Sequence, residues 1–75
     1  MNEQELEFYK AAKSHDLTYQ FSDDHRAYKE GERTLWKVKH LAKSMEYSRA
    51  AEIWNQVVDE KIRPESREGF YWGKK

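Results

Sequence analysis

The sequence predicts an all-α fold: a small three-helix domain with an extended connector between the first and second helices. Three observations predict it. Glycine and proline are scarce, at three and one in 75 residues, and Pro64, Gly69 and Gly73 all fall near the C-terminus. Apolar residues recur at spacings of three and four through most of the chain, the period of a helix buried along one stripe. Cap and stop signals then divide that pattern into three segments. Residues 1–63 read as a single helical domain and residues 64–75 as an aromatic C-terminal tail, docked on the core or flexible.

The first segment, residues 2–14, has helix-forming composition with Glu3 and Glu5 at its start, where the helix dipole favours acids. Leu6, Tyr9 and Lys13 fall on one face; Glu5, Phe8, Ala12 and His15 make the neighbouring one. From His15 to Phe21 the period changes to two. Leu17, Tyr19 and Phe21 alternate with Asp16, Thr18 and Gln20, which predicts an extended connector laying three apolar side chains on the core, with a small hairpin as the alternative. Ser22-Asp23-Asp24 is a helix-start signal, since serine and aspartate side chains accept hydrogen bonds from free backbone amides. The second helix is expected over residues 23–44, buried along Tyr28, Gly31, Leu35, Val38, Ala42 and Met45. Glycine costs a helix about 1 kcal/mol relative to alanine, so Gly31 on the buried stripe predicts a close approach by another backbone.

Glu46-Tyr47-Ser48 reads as a turn with a new cap. The third helix, residues 48–62, presents Ala50, Ala51, Trp54, Val57, Val58 and Ile62, and ends where Pro64 biases Arg63 away from helical geometry. The tail carries Phe70-Tyr71-Trp72 between Gly69 and Gly73. Three adjacent aromatics left in water invite aggregation, which favours docking; flanked by Arg67, Lys74 and Lys75, they also suit base stacking.

Size and charge bound the function. A chain this short buries roughly 60% of the surface it exposes when unfolded, so the core is thin and self-association is one way to complete it. The absence of cysteine excludes disulfides and thiolate zinc sites and is compatible with a reducing, cytoplasmic setting. Leu6, Phe8 and Tyr9 sit among glutamates, unlike a secretory signal, and no apolar run reaches membrane-span length. A soluble protein is expected. Basic and acidic residues balance at 14 each, so any electrostatic function depends on how the charges are distributed.

That distribution is uneven. Residues 23–45 hold six basic and four acidic side chains. At 100° per residue, Arg26, Lys29, Arg33, Trp36, Lys37, His40 and Lys43 gather opposite the apolar stripe of the second helix. A basic face containing a tryptophan suits an acidic partner groove or phosphates; the plainer alternative is a solvated face. Were nucleic acid the ligand, Arg26 and Arg33 would make the specific contacts and the lysines would position it. His15, Asp16, Asp23, Asp24 and His25 supply donors suited to a divalent metal, but their spacing matches no metal motif. They read instead as turn and cap residues with surface histidines, and no metal or other cofactor is expected. No cysteine nucleophile, glycine-rich phosphate loop or nucleophile elbow is present, which argues against an enzyme.

From Tyr19 to Gly31 the chain reads Tyr-Gln-Phe-Ser-Asp-Asp-His-Arg-Ala-Tyr-Lys-Glu-Gly. Through Tyr19, Phe21, Ser22, Asp23, Asp24, His25, Tyr28 and Gly31, this resembles a segment of short uncharacterised proteins of tailed bacteriophages. The resemblance covers about a sixth of the chain. It implies a phage-encoded accessory protein made in the bacterial cytoplasm, and carries no activity with it. The expected function is a non-enzymatic interaction protein that binds and modulates a host or phage protein. The alternative is nucleic-acid binding through the second helix, and a second copy of the chain is a further candidate partner.

Overall fold

The computed structural model describes residues 1–73, and within them the fold is all-helical: three α-helices and two 3₁₀ segments. The first α-helix, α1 (Glu3–Ser14), starts where the Asn2 side chain accepts the Glu5 amide at 2.8 Å. It buries Phe8 and Ala12, the second of its two candidate faces, and leaves Leu6 exposed. Its C-terminal end is closed from outside the helix. The Lys61 ammonium donates to the carbonyls of Lys13 and His15 at 2.7 and 2.6 Å, a cation placed where the helix dipole favours one.

The connector departs from the alternating pattern. Asp16 Oδ1 accepts from the amide and the hydroxyl of Thr18 at 3.0 and 2.9 Å, and Tyr19–Phe21 then coils into a 3₁₀ turn. A turn rotates successive side chains by about 120°, so the two-residue alternation fails at its third position. Leu17 and Tyr19 are buried, whereas Phe21 is 74% exposed and does not seal the core.

Asp24 accepts the Arg26 amide at 3.0 Å and starts α2 (His25–Lys43). Gly31 lies under the connector. A Cβ built on it would stand 2.2 Å from Tyr19 Cβ, so the close approach comes from a side chain at its root. Val38 is fully buried, Leu35, Ala42 and Met45 are half-buried beside it, and Tyr28, 38% exposed, packs against the Tyr19 ring at 5.4 Å. The third α-helix, α3 (Tyr47–Lys61), begins a residue earlier than its sequence signal, with Glu46 at the cap position. It is the spine of the core. Ala50, Ala51, Ile53, Trp54, Val57 and Val58 are all buried, and Ile53 joins them because the core reaches around more of the helix than one stripe.

The tail forms a 3₁₀ helix, Pro64–Phe70, and returns along α3. Arg67 donates to the carbonyls of Ile62 and Asp59 at 2.8 and 2.7 Å, satisfying the end of α3. Asn55 grips the Trp72 backbone from both sides, donating to its carbonyl at 3.1 Å and accepting its amide at 2.8 Å. The Trp72 ring stacks on Trp54 with centroids 4.4 Å apart and on Tyr47 at 6.4 Å. Trp54 Nε1 donates to the Phe70 carbonyl at 2.7 Å. Phe70, Tyr71 and Trp72 thus add aromatic area to a core that is otherwise thin; Lys74 and Lys75 lie outside the described residues. Among the described residues no helix is long and apolar enough to cross a membrane.

Candidate functional site

The basic residues of α2 are all exposed, but the structure divides them among three places. Arg26, Lys29, Arg33 and Trp36 surround one shallow depression, together with Glu30 and Glu32. Lys37 faces a cleft between α1 and α2, beside Glu7 and Lys10. Lys43 lies at a hollow near Met45, Tyr47 and Trp72. His40 is exposed on the same helix. Arg26, Lys29, Arg33 and Trp36 thus share one depression, while Lys37 and Lys43 each border a different one.

Within the depression, Arg33 already has a partner, donating to both carboxylate oxygens of Glu30 at 2.7 Å. Both side chains are mostly in water, where such an i,i+3 pair contributes little to stability. Trp36 is 63% exposed, and the Lys39 ammonium stands over its ring at 5.3 Å from the centroid. Sequence reading left Lys39 out of this face, although a separation of three residues on a helix is a contact distance.

A second and larger concavity lies on the other side of Lys39. It is an open groove of about 890 Å³ between the connector, α2, the end of α3 and the tail. Leu17, Leu35, Ile62 and Phe70 give it an apolar floor, Phe21 projects at its edge, and Lys39, Lys61 and Arg63 bring cationic side chains to it. No aspartate or glutamate is among the described lining residues. Periodicity within one helix could not reveal this site, because it is assembled from four elements distant in sequence.

His15, read from sequence as a surface group, is 1% exposed in the wall of that groove. Its Nδ1 lies 2.6 Å from Thr34 Oγ1, and the Thr34 hydroxyl donates to the Gly31 carbonyl at 3.0 Å. With the hydroxyl proton committed there, Thr34 accepts, and His15 carries its proton on Nδ1. The ring packs against Tyr19 and Trp54 with centroids 5.5 and 6.0 Å away. Burial, and then the nearby Lys61 charge, hold its pKa below the ordinary histidine value. The same burial lowers the Lys61 ammonium. Of the remaining candidate metal donors, Asp16 orders the turn and Asp24 caps α2, while Asp23 and His25 are exposed. Among the described residues no group of three or more His, Cys, Asp or Glu is placed to hold a metal ion.

Comparisons with protein families, with curated proteins and with solved structures give no match for this chain. The functional reading therefore rests on the geometry of the chain itself, a small all-helical domain with one exposed basic-aromatic face and one cation-rimmed apolar groove.

Proposed function

We propose that this is a non-enzymatic interaction protein, a phage-encoded accessory factor of the bacterial cytoplasm that binds and modulates a host or phage protein. The observation that carries the reading is Trp36. A chain with a thin core leaves its largest type of side chain 63% exposed on a regular helix, among Arg26, Lys29 and Arg33 and beneath Lys39. Tryptophan and arginine are the residues most often responsible for binding energy at protein interfaces. The phage assignment draws its support from the Tyr19–Gly31 segment alone.

The test is capture of a partner from bacterial lysate by the tagged chain and by a Trp36→Ala, Arg33→Glu double variant, with and without nuclease. The reading expects a stoichiometric protein that survives nuclease and is lost with the double variant, whose melting temperature stays near that of the parent. Unchanged capture by the variant moves the interface away from this face.

A second reading, direct nucleic-acid binding by α2, has the excess of cations over Glu30 and Glu32 along that helix in its favour. It requires recovery of nucleic acid that falls steeply as salt rises. No retention in dilute buffer removes it.

A further inference from the structure

The groove beside His15 has a chemistry distinct from that of the Trp36 face. Its floor is apolar and only partly covered: Leu35, Ile62 and Phe70 are half-buried, packed against the core on one side and open to the groove on the other. Phe21 stands at the edge with most of its ring in water. An open apolar surface of this kind is stabilised by an occupant that removes it from water. The volume, about 890 Å³, lies within the range of roughly 300–1,000 Å³ common to ligand sites.

The charged side chains that line that floor are all cationic, and one opposing charge, Asp16, lies beside the lining within electrostatic range of Lys61. Lys39, Lys61 and Arg63 reach the floor from three different elements, and no carboxylate among the described residues lines it. Lys61 spends two of its three N–H donors on the carbonyls that end α1 and already feels the Asp16 carboxylate, so Lys39 and Arg63 are the cations left for an incoming acid. Among the described residues Arg63 pairs with Glu65, at 3.9 Å and with both side chains mostly solvated, a pair too loose to compete with a closer carboxylate. Lys39 leans over the Trp36 ring, which neutralises no charge. A chain whose basic and acidic residues are equal in number thus keeps one concave apolar surface whose charged lining residues, among those described, are all cations.

We propose that the groove docks an acidic peptide segment of a protein partner, seating apolar side chains on Leu35, Ile62 and Phe70 while its carboxylates pair with Lys39 and Arg63. The proposal deepens the interaction-protein reading and rests on it, by naming the chemistry of the partner segment and placing it across Lys39 from the Trp36 face. Two features favour peptide over nucleic acid. Three cations set around an apolar floor do not form the row that tracks a phosphate backbone. The Trp72 ring, the obvious stacking platform, already lies between Trp54 and Tyr47.

The test begins with a display selection of random dodecapeptides on the immobilised full chain. The strongest binder is then measured by fluorescence anisotropy against the parent, a Lys39→Glu, Arg63→Glu double variant and the Trp36→Ala, Arg33→Glu variant. The selection is expected to enrich peptides combining Asp or Glu with Leu, Ile, Phe or Trp. Kd should weaken at least about tenfold in the rim variant, a loss of about 1.4 kcal/mol, stay within about twofold in the Trp36 variant, and weaken with salt. Circular dichroism checks that the rim variant folds, and Lys39→Ala, Arg63→Ala replaces it should the charge reversals unfold the chain.

Failure to enrich any binder, enrichment of peptides lacking acids, or equal affinity for the rim variant overturns the proposal. So does a labelled oligothymidylate that binds more tightly than the selected peptide and loses affinity in the rim variant, which assigns the groove to nucleic acid. So too does a parent chain that dimerises through these rim residues and excludes the peptide, which assigns it to a second copy. Should the groove fail while lysate capture through Trp36 and Arg33 persists, the interaction-protein reading stands without it. If capture fails and peptide binding holds, the Trp36 face is what falls.

Discussion

The tail and the outer face of α2 each carry a tryptophan with basic residues nearby in sequence, and the fold treats them in opposite ways. Trp72 lies in a stack between Trp54 and Tyr47, and its backbone is gripped by Asn55. Trp36 carries the ammonium of Lys39 over its ring and is 63% exposed. Composition does not separate them. What does is the opposing surface: α3 passes under the tail and offers both aromatic area and backbone-seeking polar groups, while none of the described residues covers the outer side of Trp36 to the same extent. Residues that complete a thin core and residues left over for a partner are therefore alike in type and differ in place.

Truncating each ring is the most direct way to break that contrast. Trp72→Ala removes the middle of the stack, and loss of a packed Trp costs about 3–5 kcal/mol. Against a total stability of about 4–11 kcal/mol for a chain of this length, at roughly 0.05–0.15 kcal/mol per residue, the variant should be largely unfolded or melt far below the parent. Trp36→Ala should change stability by no more than about 0.5 kcal/mol, as exposed positions do. Thermal unfolding followed by circular dichroism compares the two, and similar losses would place Trp36 in the core.

A smaller effect sharpens the comparison at the inner face of α2. Gly31→Ala should raise helix propensity by about 1 kcal/mol. Yet its methyl would meet Tyr19 Cβ at 2.2 Å, too close for either backbone to ignore. Overpacking of this kind costs about 1–3 kcal/mol and should outweigh the gain, giving a net loss in urea unfolding. A stabilised variant would show that the connector yields freely.

The smallest effect is one of pH. His15 is held neutral by burial and by Lys61, so its folded pKa lies below the ordinary value near 6.5. The unfolded chain then takes up the proton first, and acid favours unfolding. Stability from this group is complete above about pH 6.5 and declines as pH falls toward the folded value. Glu5 and Glu60, whose pKa values are lowered chiefly by hydrogen bonds from Arg49 and Tyr9 respectively, contribute only at still lower pH. Melting temperature should fall between pH 7 and pH 5 in the parent. Much of that slope should vanish in His15→Asn, whose amide can still reach Thr34. An unaltered slope would assign it to another group.

Much of the architecture was legible in residue order. The period of three to four marked the helices, Asp24 capped α2 as its type and position suggested, and Gly31 announced a close contact. Local pattern failed where a side chain's fate depends on what lies opposite. Phe21 continued an alternation that a 3₁₀ turn interrupts, so it points to water. Ile53 sat beside the expected stripe and is buried because elements pack around α3 from more than one side. His15 continues the Phe8 and Ala12 face that is buried, but its residue type reads as a surface group, and nothing nearby in sequence signals Thr34 and Trp54 closing over it. Of the candidate α2 face, the spacing that groups Arg26, Lys29, Arg33 and Trp36 is a property of the helix alone, whereas the clefts that Lys37 and Lys43 border are made with α1 and with the tail.

By itself, then, the sequence determined the helical class, the approximate spans and the exposure of a basic face on α2, because backbone hydrogen bonding and the 3.6-residue repeat act over a few residues. Only the tertiary structure decided that the tail's tryptophan packs inward, that a histidine is buried neutral, and that Lys39, Lys61 and Arg63 rim one apolar groove. Those outcomes depend on contacts between residues far apart in sequence, as between the Phe8 and Trp72 rings and in the bond from Lys61 to His15, and a local pattern carries no information at that range.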